Sequence, residues 1–174
     1  MALAVCLLFD DRAEKAIRQL WRRLEDEGLP TLLTHTHGRH VPHLSYAVLR
    51  TFDVEKVRES VGSLPDGTPT TLHFDALGMF RRSRCWLVPA VTSDLAARQE
   101  RVVRAVESTG ADLHRHYRPG AWVPHCTLAP RLHLHQLPAM AAAVYDVLPL
   151  VAEVQRAALV NSGTGEQWEL PNRP

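Results

Sequence analysis

A short segment of the chain occurs twice. Residues 41–47 read VPHLSYA and residues 123–129 read VPHCTLA, so Val, Pro, His and Ala are identical while Ser is replaced by Thr. The two histidines, His43 and His125, are separated by 125 − 43 = 82 positions, close to half of the 174-residue chain. Because histidine titrates near neutral pH, the repeat predicts two equivalent segments that each carry one proton-transferring side chain.

Strand geometry indicates which side chains accompany these histidines. Successive side chains of a strand point to opposite faces. His43 therefore shares a face with Ser45, and His125 shares a face with Thr127. If the two segments face each other across a pseudo-two-fold axis, two imidazoles and two hydroxyls converge on one central cleft.

These four groups suit acid–base chemistry at a phosphate ester. A neutral imidazole can accept a proton from an attacking water or hydroxyl, and an imidazolium can protonate the departing oxygen. Hydroxyls can donate hydrogen bonds to non-bridging phosphate oxygens. We therefore expect His43 and His125 to be catalytic and Ser45 and Thr127 to bind phosphate. The sequence leaves open which histidine is the acid, and this chemistry requires neither a metal nor another cofactor.

The elements that position these residues alternate between strands and helices. Apolar patterning predicts strands over residues 3–9, 41–49, 70–80, 85–91, 122–129, 151–160 and 167–170. It predicts helices over residues 13–27, 53–64, 93–109 and 137–148.

The predicted elements indicate the fold class. Asp53 is expected to cap the second helix, and Ser93 or Asp94 the third. The offset of 82 also maps Gly28 onto Gly110, the expected ends of the first and third helices. Because most strands are joined by hairpins or short turns, we expect an α+β fold with duplicated antiparallel sheets flanked by helices. Residues 1–174 should form a single domain with two pseudo-symmetric lobes.

Composition excludes several classes of protein. Apolar residues make up 45% of the chain, which is typical of a folded core rather than of disorder. A net charge of +1 argues against a protein that coats long nucleic acid, but it permits a short anionic substrate. Three widely spaced cysteines argue against a disulfide framework. The N-terminus has no basic region of the kind found in signal peptides. No apolar run is long enough to span a membrane. We therefore expect a cytoplasmic protein, and we also expect it to be a monomer.

Other residues allow alternatives. The ten histidines include H-x-H pairs that suggest a zinc site, but no recognised ligand spacing accompanies them, which favours solvated loops. Arg81, Arg82 and Arg84 are interpreted either as a solvated connection or as a site that attracts phosphates. Phe80, Trp122 and Tyr117 are interpreted either as core residues or as platforms for a base, and the list of predicted site residues omits them.

The paired motifs resemble a known signature. His43-Leu-Ser-Tyr and His125-Cys-Thr-Leu resemble the His-x-[Thr/Ser]-x motifs of the 2H phosphoesterase superfamily, and in particular of its LigT-like group. These are RNA 2′,3′-cyclic phosphodiesterases often labelled 2′-5′ RNA ligases. Residues 74–80 followed by Cys85-Trp-Leu-Val similarly resemble the hairpin between the family's motifs. In departure from the family, Ser45 replaces the usual Thr and Arg50 stands where a Gly is frequent.

The resemblance implies a bilobal α+β fold with a central cleft and a function at RNA ends. It implies hydrolysis of a 2′,3′-cyclic phosphate, on RNA or a nucleotide, to a 2′-phosphate, with no cofactor. The catalytic residues would be His43 and His125, and the phosphate-binding residues Ser45 and Thr127. The same chemistry in reverse would join a 2′-phosphate to a 5′-hydroxyl. Two alternatives are a phosphodiesterase for ADP-ribose cyclic phosphate or another small cyclic phosphodiester, and a non-catalytic module that binds RNA ends.

Overall fold

The structure is a computed structural model that describes residues 2–174. Its elements are β1 Leu3–Phe9, α1 Asp11–Asp26, β2 His43–Leu49, α2 Val54–Gly62, β3 Thr71–Met79, β4 Cys85–Pro89, α3 Ser93–Ser108, β5 Cys126–Ala129, α4 Leu137–Tyr145, β6 Leu150–Asn161 and β7 Gln167–Glu169.

The strands form one antiparallel sheet in two lobes. Its order is β2-β1-β6-β3-β4-β5, and β7 pairs with β6. The first lobe holds β2 and β1, and the second holds β3, β4 and β5. The long strand β6 belongs to both, because Leu150–Glu153 pair with β3 and Val154–Asn161 pair with β1. The pairing of β6 with β3 therefore joins the two lobes into one sheet.

The repeat seen in the sequence extends to the fold. Helix α3 begins and ends 82 residues after α1, and Gly28 and Gly110 follow these helices with φ of 77° and 79°. Glycine adopts this left-handed conformation at little cost. Thr71 and Glu153 are also 153 − 71 = 82 residues apart, and they are direct partners across β3 and β6. Because these equivalent residues pair with each other, the pseudo-two-fold axis passes between them.

Helices cover one face of the sheet. Apolar residues recur on one side of α1, and Ala13, Ile17, Leu20, Trp21 and Leu24 are all buried. They pack with the odd-numbered residues of β1 in the main core. The even-numbered residues of β1 form a second, smaller cluster on the opposite face: Ala4, Cys6 and Leu8, with Ala158 of β6. The motif residue Ser45 lies on this second face, beside Cys6.

The predicted fold class is confirmed, with corrections at the ends of elements. The second motif strand begins at Cys126 rather than residue 122, so His125 directly precedes it. Asp53 caps α2 as expected. The predicted cap of α3 is wrong by one residue, because the Thr92 hydroxyl accepts from the Leu95 amide at 3.1 Å. Helix α4 ends at Tyr145, earlier than predicted.

Within residues 2–174, no helix combines the length and the apolar character needed to cross a membrane.

Candidate active site

Each motif histidine is held by the same backbone contact. His43 Nδ1 lies 2.7 Å from the carbonyl oxygen of Val41, and His125 Nδ1 lies 2.7 Å from that of Val123. A carbonyl only accepts hydrogen bonds, so Nδ1–H is the donor in both cases. In each neutral imidazole this leaves Nε2 with a free lone pair. Both histidines are therefore oriented to exchange a proton at Nε2.

A β-bulge follows the hydroxyl residue in each motif strand. On β2 the pairing with β1 skips Tyr46, and on β5 the pairing with β4 skips Leu128, which is 82 residues later. A bulge bends a strand and redirects its side chains, and bulges are frequent beside active sites. Both bulged residues are buried, so the extra residue faces the core while the motif hydroxyl stays on the opposite side. The pattern of alternating apolar residues does not predict these bulges.

Direct contacts join the two motif segments. The indole Nε1 of Trp122 donates to the backbone oxygen of Ser45 at 3.0 Å. Burial raises the pKa of the Cys126 thiol to about 12, and the backbone N–H of His43, which contacts this thiol, lowers it in part. The buried amide of Gln99 on α3 donates to the backbone oxygens of Tyr46 and Tyr117, at 3.1 and 2.7 Å. These bonds bring the two motifs face to face.

His125 sits among aromatic rings. The ring of Phe80 meets it edge-on with centroids 5.1 Å apart, and the rings of Trp86 and Tyr117 lie at 5.6 and 6.5 Å. Burial lowers the pKa of His125 to about 4, and the nearby charges of His43 and Arg84 lower it further, while the bond to Val123 opposes them.

His43 has a different environment. Burial lowers the pKa of His43 below its usual value, the bond to Val41 raises it, and Arg84 lowers it. The part of the chain that the structure describes places no aromatic side chain in ring contact with His43, unlike its counterpart. The two histidines thus have the same backbone bond and unequal surroundings.

The two motif hydroxyls also differ. Ser45 is only 7% exposed, and its Oγ lies 3.5 Å from the Sγ of Cys6. Burial raises the pKa of Tyr117 to about 12, and hydrogen bonding to the Ser45 side chain lowers it in part. Thr127 is half-buried, and its hydroxyl has no hydrogen bond within residues 2–174. Thr127 is therefore free to meet a ligand, whereas Ser45 already has protein partners.

Trp86 forms a wall beside His125 because its cross-strand partner is a glycine. Gly78 pairs with Trp86, and a Cβ added at Gly78 would lie 2.5 Å from the indole ring. Such a contact is closer than van der Waals packing allows. The glycine therefore permits the ring to lie flat on β3 and to contact both Phe80 and His125.

A cleft of about 780 Å³ opens beside this centre. It is lined by His125, Phe80, Tyr117 and Val123 together with six arginines: Arg50, Arg81, Arg82, Arg84, Arg115 and Arg118. Its one acidic lining residue is Asp112. None of these arginines forms an ion pair within residues 2–174. The cleft is therefore strongly cationic, although the whole chain carries a net charge of only +1.

The sequence found only part of this lining. Arg81, Arg82 and Arg84 were noted as a basic connection, and the structure puts all three on the cleft. Trp122, noted as a possible platform for a base, instead links the motifs through its bond to Ser45. The sequence reasoning missed Arg115, Arg118 and Gln99. The signal available for the arginines was the basic segment of residues 114–118, HRHYR.

The remaining histidines form separate groups. His35, His37 and His40 lie in a segment without helix or strand, as expected, but they are half-buried and their rings contact one another, with centroids 5.9 Å apart for His35 and His40 and 4.2 Å apart for His37 and His40. The predicted exposure to solvent is confirmed for His133 and His135. Among the described residues, no three His, Cys, Asp or Glu side chains are close enough together to hold a metal ion.

Solved structures with the same fold include nucleotide complexes. A crystal structure of a phosphoesterase gives a TM-score of 0.61 at 17% identity, covering 98% of this chain and 94% of that one. E. coli LigT complexed with 3′-AMP gives 0.60 at 17% identity, covering 98% of both chains. E. coli LigT complexed with NADP+ gives 0.59 at 17% identity, covering 98% and 94%. At this level of identity these likenesses show the fold alone.

A comparison with curated protein sequences found no match. The family model of the 2′-5′ RNA ligase superfamily matches residues 9–166, which include both motif histidines and both motif hydroxyls. The match extends over most of the chain and agrees with the duplicated fold and the paired His-x-[Ser/Thr] motifs described above. The chain belongs to the 2′-5′ RNA ligase superfamily.

Proposed function

We propose that this protein hydrolyses a 2′,3′-cyclic phosphate, on an RNA end or a nucleotide, to a 2′-phosphate without a metal ion. The observation that carries the proposal is the pair of imidazoles, His43 and His125, each bonded through Nδ1 to a backbone carbonyl and each with Nε2 free. A cationic cleft is lined by His125. Membership of the family supports this reaction class.

The unequal environments of the histidines support different roles. His125, whose pKa is about 4, is neutral at neutral pH and is suited to act as the base. His43, which lacks the aromatic enclosure of His125, takes the remaining role of acid, and because burial lowers the pKa of its imidazole too, its protonation depends on the bound phosphate. A bound phosphate dianion or monoanion raises the pKa of both imidazoles, which favours the protonated form of His43 in the complex.

The proposed reaction is one in-line displacement at phosphorus. His125 Nε2 takes a proton from water as the water oxygen bonds to phosphorus. The bond between phosphorus and the 3′-oxygen breaks, and that oxygen takes the proton from His43 Nε2. The products are a 2′-phosphate and a 3′-hydroxyl. Each histidine is expected to contribute about 10²–10⁴-fold to the rate.

Two further groups stabilise the phosphate. Arg84 lies close enough to lower the pKa of both His43 and His125, and a guanidinium there offsets the negative charge that develops on the non-bridging oxygens. Thr127, two residues after His125, has an uncommitted hydroxyl and donates a hydrogen bond to one of these oxygens. Ser45 is the other predicted phosphate ligand, and its hydroxyl must exchange its present partners to reach the substrate.

Nucleotide complexes of fold relatives support the substrate class. E. coli LigT has been crystallised with 3′-AMP, with ATP and with NADP+. The cleft of this chain offers aromatic side chains beside arginines, which suits a base attached to phosphates. We also propose that residues 1–174 act as one domain.

The test measures product formation from 2′,3′-cyclic AMP and from a short RNA with a 2′,3′-cyclic phosphate, both with EDTA present. We expect a 2′-phosphate product, and a loss of about 10²-fold or more in kcat/KM for His43→Ala and for His125→Ala. His135→Ala is the matched control, because His135 is exposed and does not line the cleft. Activity that EDTA abolishes, or that survives both substitutions, would contradict the proposal. Turnover of another small cyclic phosphodiester alone would move the proposal to that substrate.

A further inference from the structure

Three arginines form a group at one side of the cleft. Arg50 follows β2, while Arg115 and Arg118 lie on the segment that leads from α3 to the second motif. All three are exposed and line the cleft with His114. We call these four residues the lateral cluster.

The chain brings the lateral cluster together by strand-like pairing beyond β2. Leu49 and Leu113 form an isolated bridge, Arg50 N donates to Asp112 O at 2.9 Å, and His114 N donates to Val48 O at 2.8 Å. A short 3₁₀ turn, Arg115–Tyr117, follows immediately. Backbone hydrogen bonds between the end of β2 and residues 112–114 therefore fix the position of the cluster.

The lateral cluster lies apart from the reacting centre. The ring of Tyr117 neighbours both regions, with its centroid 6.1 Å from that of His114 and 6.5 Å from that of His125. A ligand that reaches from His125 to the lateral cluster therefore passes the ring of Tyr117.

The positive charges of the lateral cluster are not balanced by acidic side chains of residues 2–174. Within residues 2–174 none of its three arginines has a carboxylate within ion-pairing distance. The adjoining cleft, at about 780 Å³, is near the upper end of the roughly 300–1,000 Å³ typical of sites for whole small molecules. Several guanidiniums in one cleft match the oxygens of a phosphate, which they bind in bidentate pairs.

We propose that the lateral cluster binds a second phosphate of the substrate, separate from the one that is cleaved. This inference rests on the proposed function for the identity of the cleaved phosphate. The second phosphate is either a 5′-phosphate of the same nucleotide or the next phosphodiester along an RNA chain. Both present the same phosphate oxygens to Arg50, Arg115 and Arg118, and a nucleoside 2′,3′-cyclic phosphate with a free 5′-hydroxyl leaves the cluster empty.

The test compares equilibrium dissociation constants of the intact protein for three probes at one fixed salt concentration. The probes are 3′-AMP, adenosine 3′,5′-bisphosphate, and the dinucleotide ApAp with a 3′-phosphate. We expect at least one of the two probes with a second phosphate to bind about tenfold more tightly than 3′-AMP, the gain typical of a charge-assisted hydrogen bond. Arg115→Gln should reduce that ratio by about tenfold, and Arg50→Gln and Arg118→Gln should reduce it in the same direction.

Arg22→Gln is the matched control, because Arg22 is an exposed arginine of α1 that lines a different surface. A gain with the bisphosphate assigns the cluster to a 5′-phosphate, and a gain with ApAp alone assigns it to an internal phosphodiester. Equal affinity for all three probes, a ratio unchanged by all three lateral substitutions, or no binding of any probe would overturn the inference.

The outcome is distinguishable from that of the proposed function. Turnover of 2′,3′-cyclic AMP with equal probe affinities would retain the proposed function and overturn the second site. An affinity ratio that responds to Arg115→Gln, without turnover of any cyclic phosphate, would retain the second site and overturn the proposed function.

Discussion

The two motif regions are alike in backbone and unlike in surroundings. Both histidines bond to the carbonyl two residues before them at 2.7 Å, and both strands bulge one residue after the motif hydroxyl. Around His125 the neighbours are aromatic, and Thr127 is half-buried with a free hydroxyl. Ser45, by contrast, is buried against Cys6.

The difference between the two motif regions allows the two histidines of a duplicated site to take different roles. Two identical imidazoles would have the same proton affinity, and neither would be preferred as acid or as base. Unequal neighbours, aromatic around His125 and not around His43, distinguish the two imidazoles. Catalysis by a proton donor and a proton acceptor then needs no third titrating group. Three predictions test this comparison between the two motif regions.

The largest contrast is expected between the two hydroxyls. Thr127→Ala removes an uncommitted donor beside His125 and should lower kcat/KM on 2′,3′-cyclic AMP by about 10²-fold, the usual loss for one donor to a developing oxyanion. Ser45→Ala should cost about tenfold or less, because the Ser45 hydroxyl is already bonded within the protein. Thr127→Ser is the control and should retain most activity. Equal losses for the two alanine variants would mean that the hydroxyls act alike.

A smaller effect is expected on the pH profile. In the proposed mechanism the base His125 is neutral and the acid His43 is protonated, so kcat/KM should rise as the pH is raised through about 4 and fall as the pH is raised further and His43, whose pKa is lowered by burial, loses its proton. Phe80→Leu exposes His125 to water, which raises its pKa and moves the acid limb upward. Arg84→Gln removes a cation that acts on both histidines, so both limbs should move to higher pH. Kinetics at varied pH and NMR titration of the imidazoles measure these shifts.

Equal shifts of the acid and alkaline limbs of the pH profile in Phe80→Leu would contradict the difference between the two motif regions. A shift of only one limb in Arg84→Gln would contradict the action of Arg84 on both histidines.

The smallest effect concerns stability in acid. The pKa values of His40 and His125 are lowered to about 4, chiefly by burial. Below pH about 6.5 the unfolded chain binds protons that the folded chain excludes, so this stability is present above pH 6.5 and is lost as the pH falls toward 4. Tm should therefore fall by several degrees between pH 7.5 and pH 5. His40→Gln should reduce that fall and the exposed control His135→Gln should not; equal behaviour of the two variants would contradict the explanation.

Local features were predictable from the sequence. Helices α1 and α3 were found from apolar spacing, and Asp53 and the two terminal glycines were assigned correctly. Each of these depends on residues within a few positions of one another, where side-chain periodicity and capping decide the structure. The repeat of the two motifs was equally visible, because both copies retain the same backbone requirement.

Features that depend on distant segments were not predictable. The segment of residues 112–114 meets the end of β2 through backbone hydrogen bonds. Neither segment has a sequence pattern that identifies the other as its partner. Arg50 and Arg115 converge only because of this pairing. Similarly, the burial of Ser45 depends on Cys6 and on Tyr117, which come from different elements. Strand propensity describes a half-buried surface and does not report which chain segment covers it.

The position of β6 has a consequence for how the protein is made. During synthesis β1 emerges first and β6 emerges nearly last, yet β6 is the inner neighbour of β1 and joins it to β3. Until residue 161 has left the ribosome, β1 has one unpaired edge and the two motifs have no common strand between them. The nascent chain therefore carries both histidines for most of its translation without an assembled pair, and its exposed strand edge during that interval is a site for a chaperone or for misassociation.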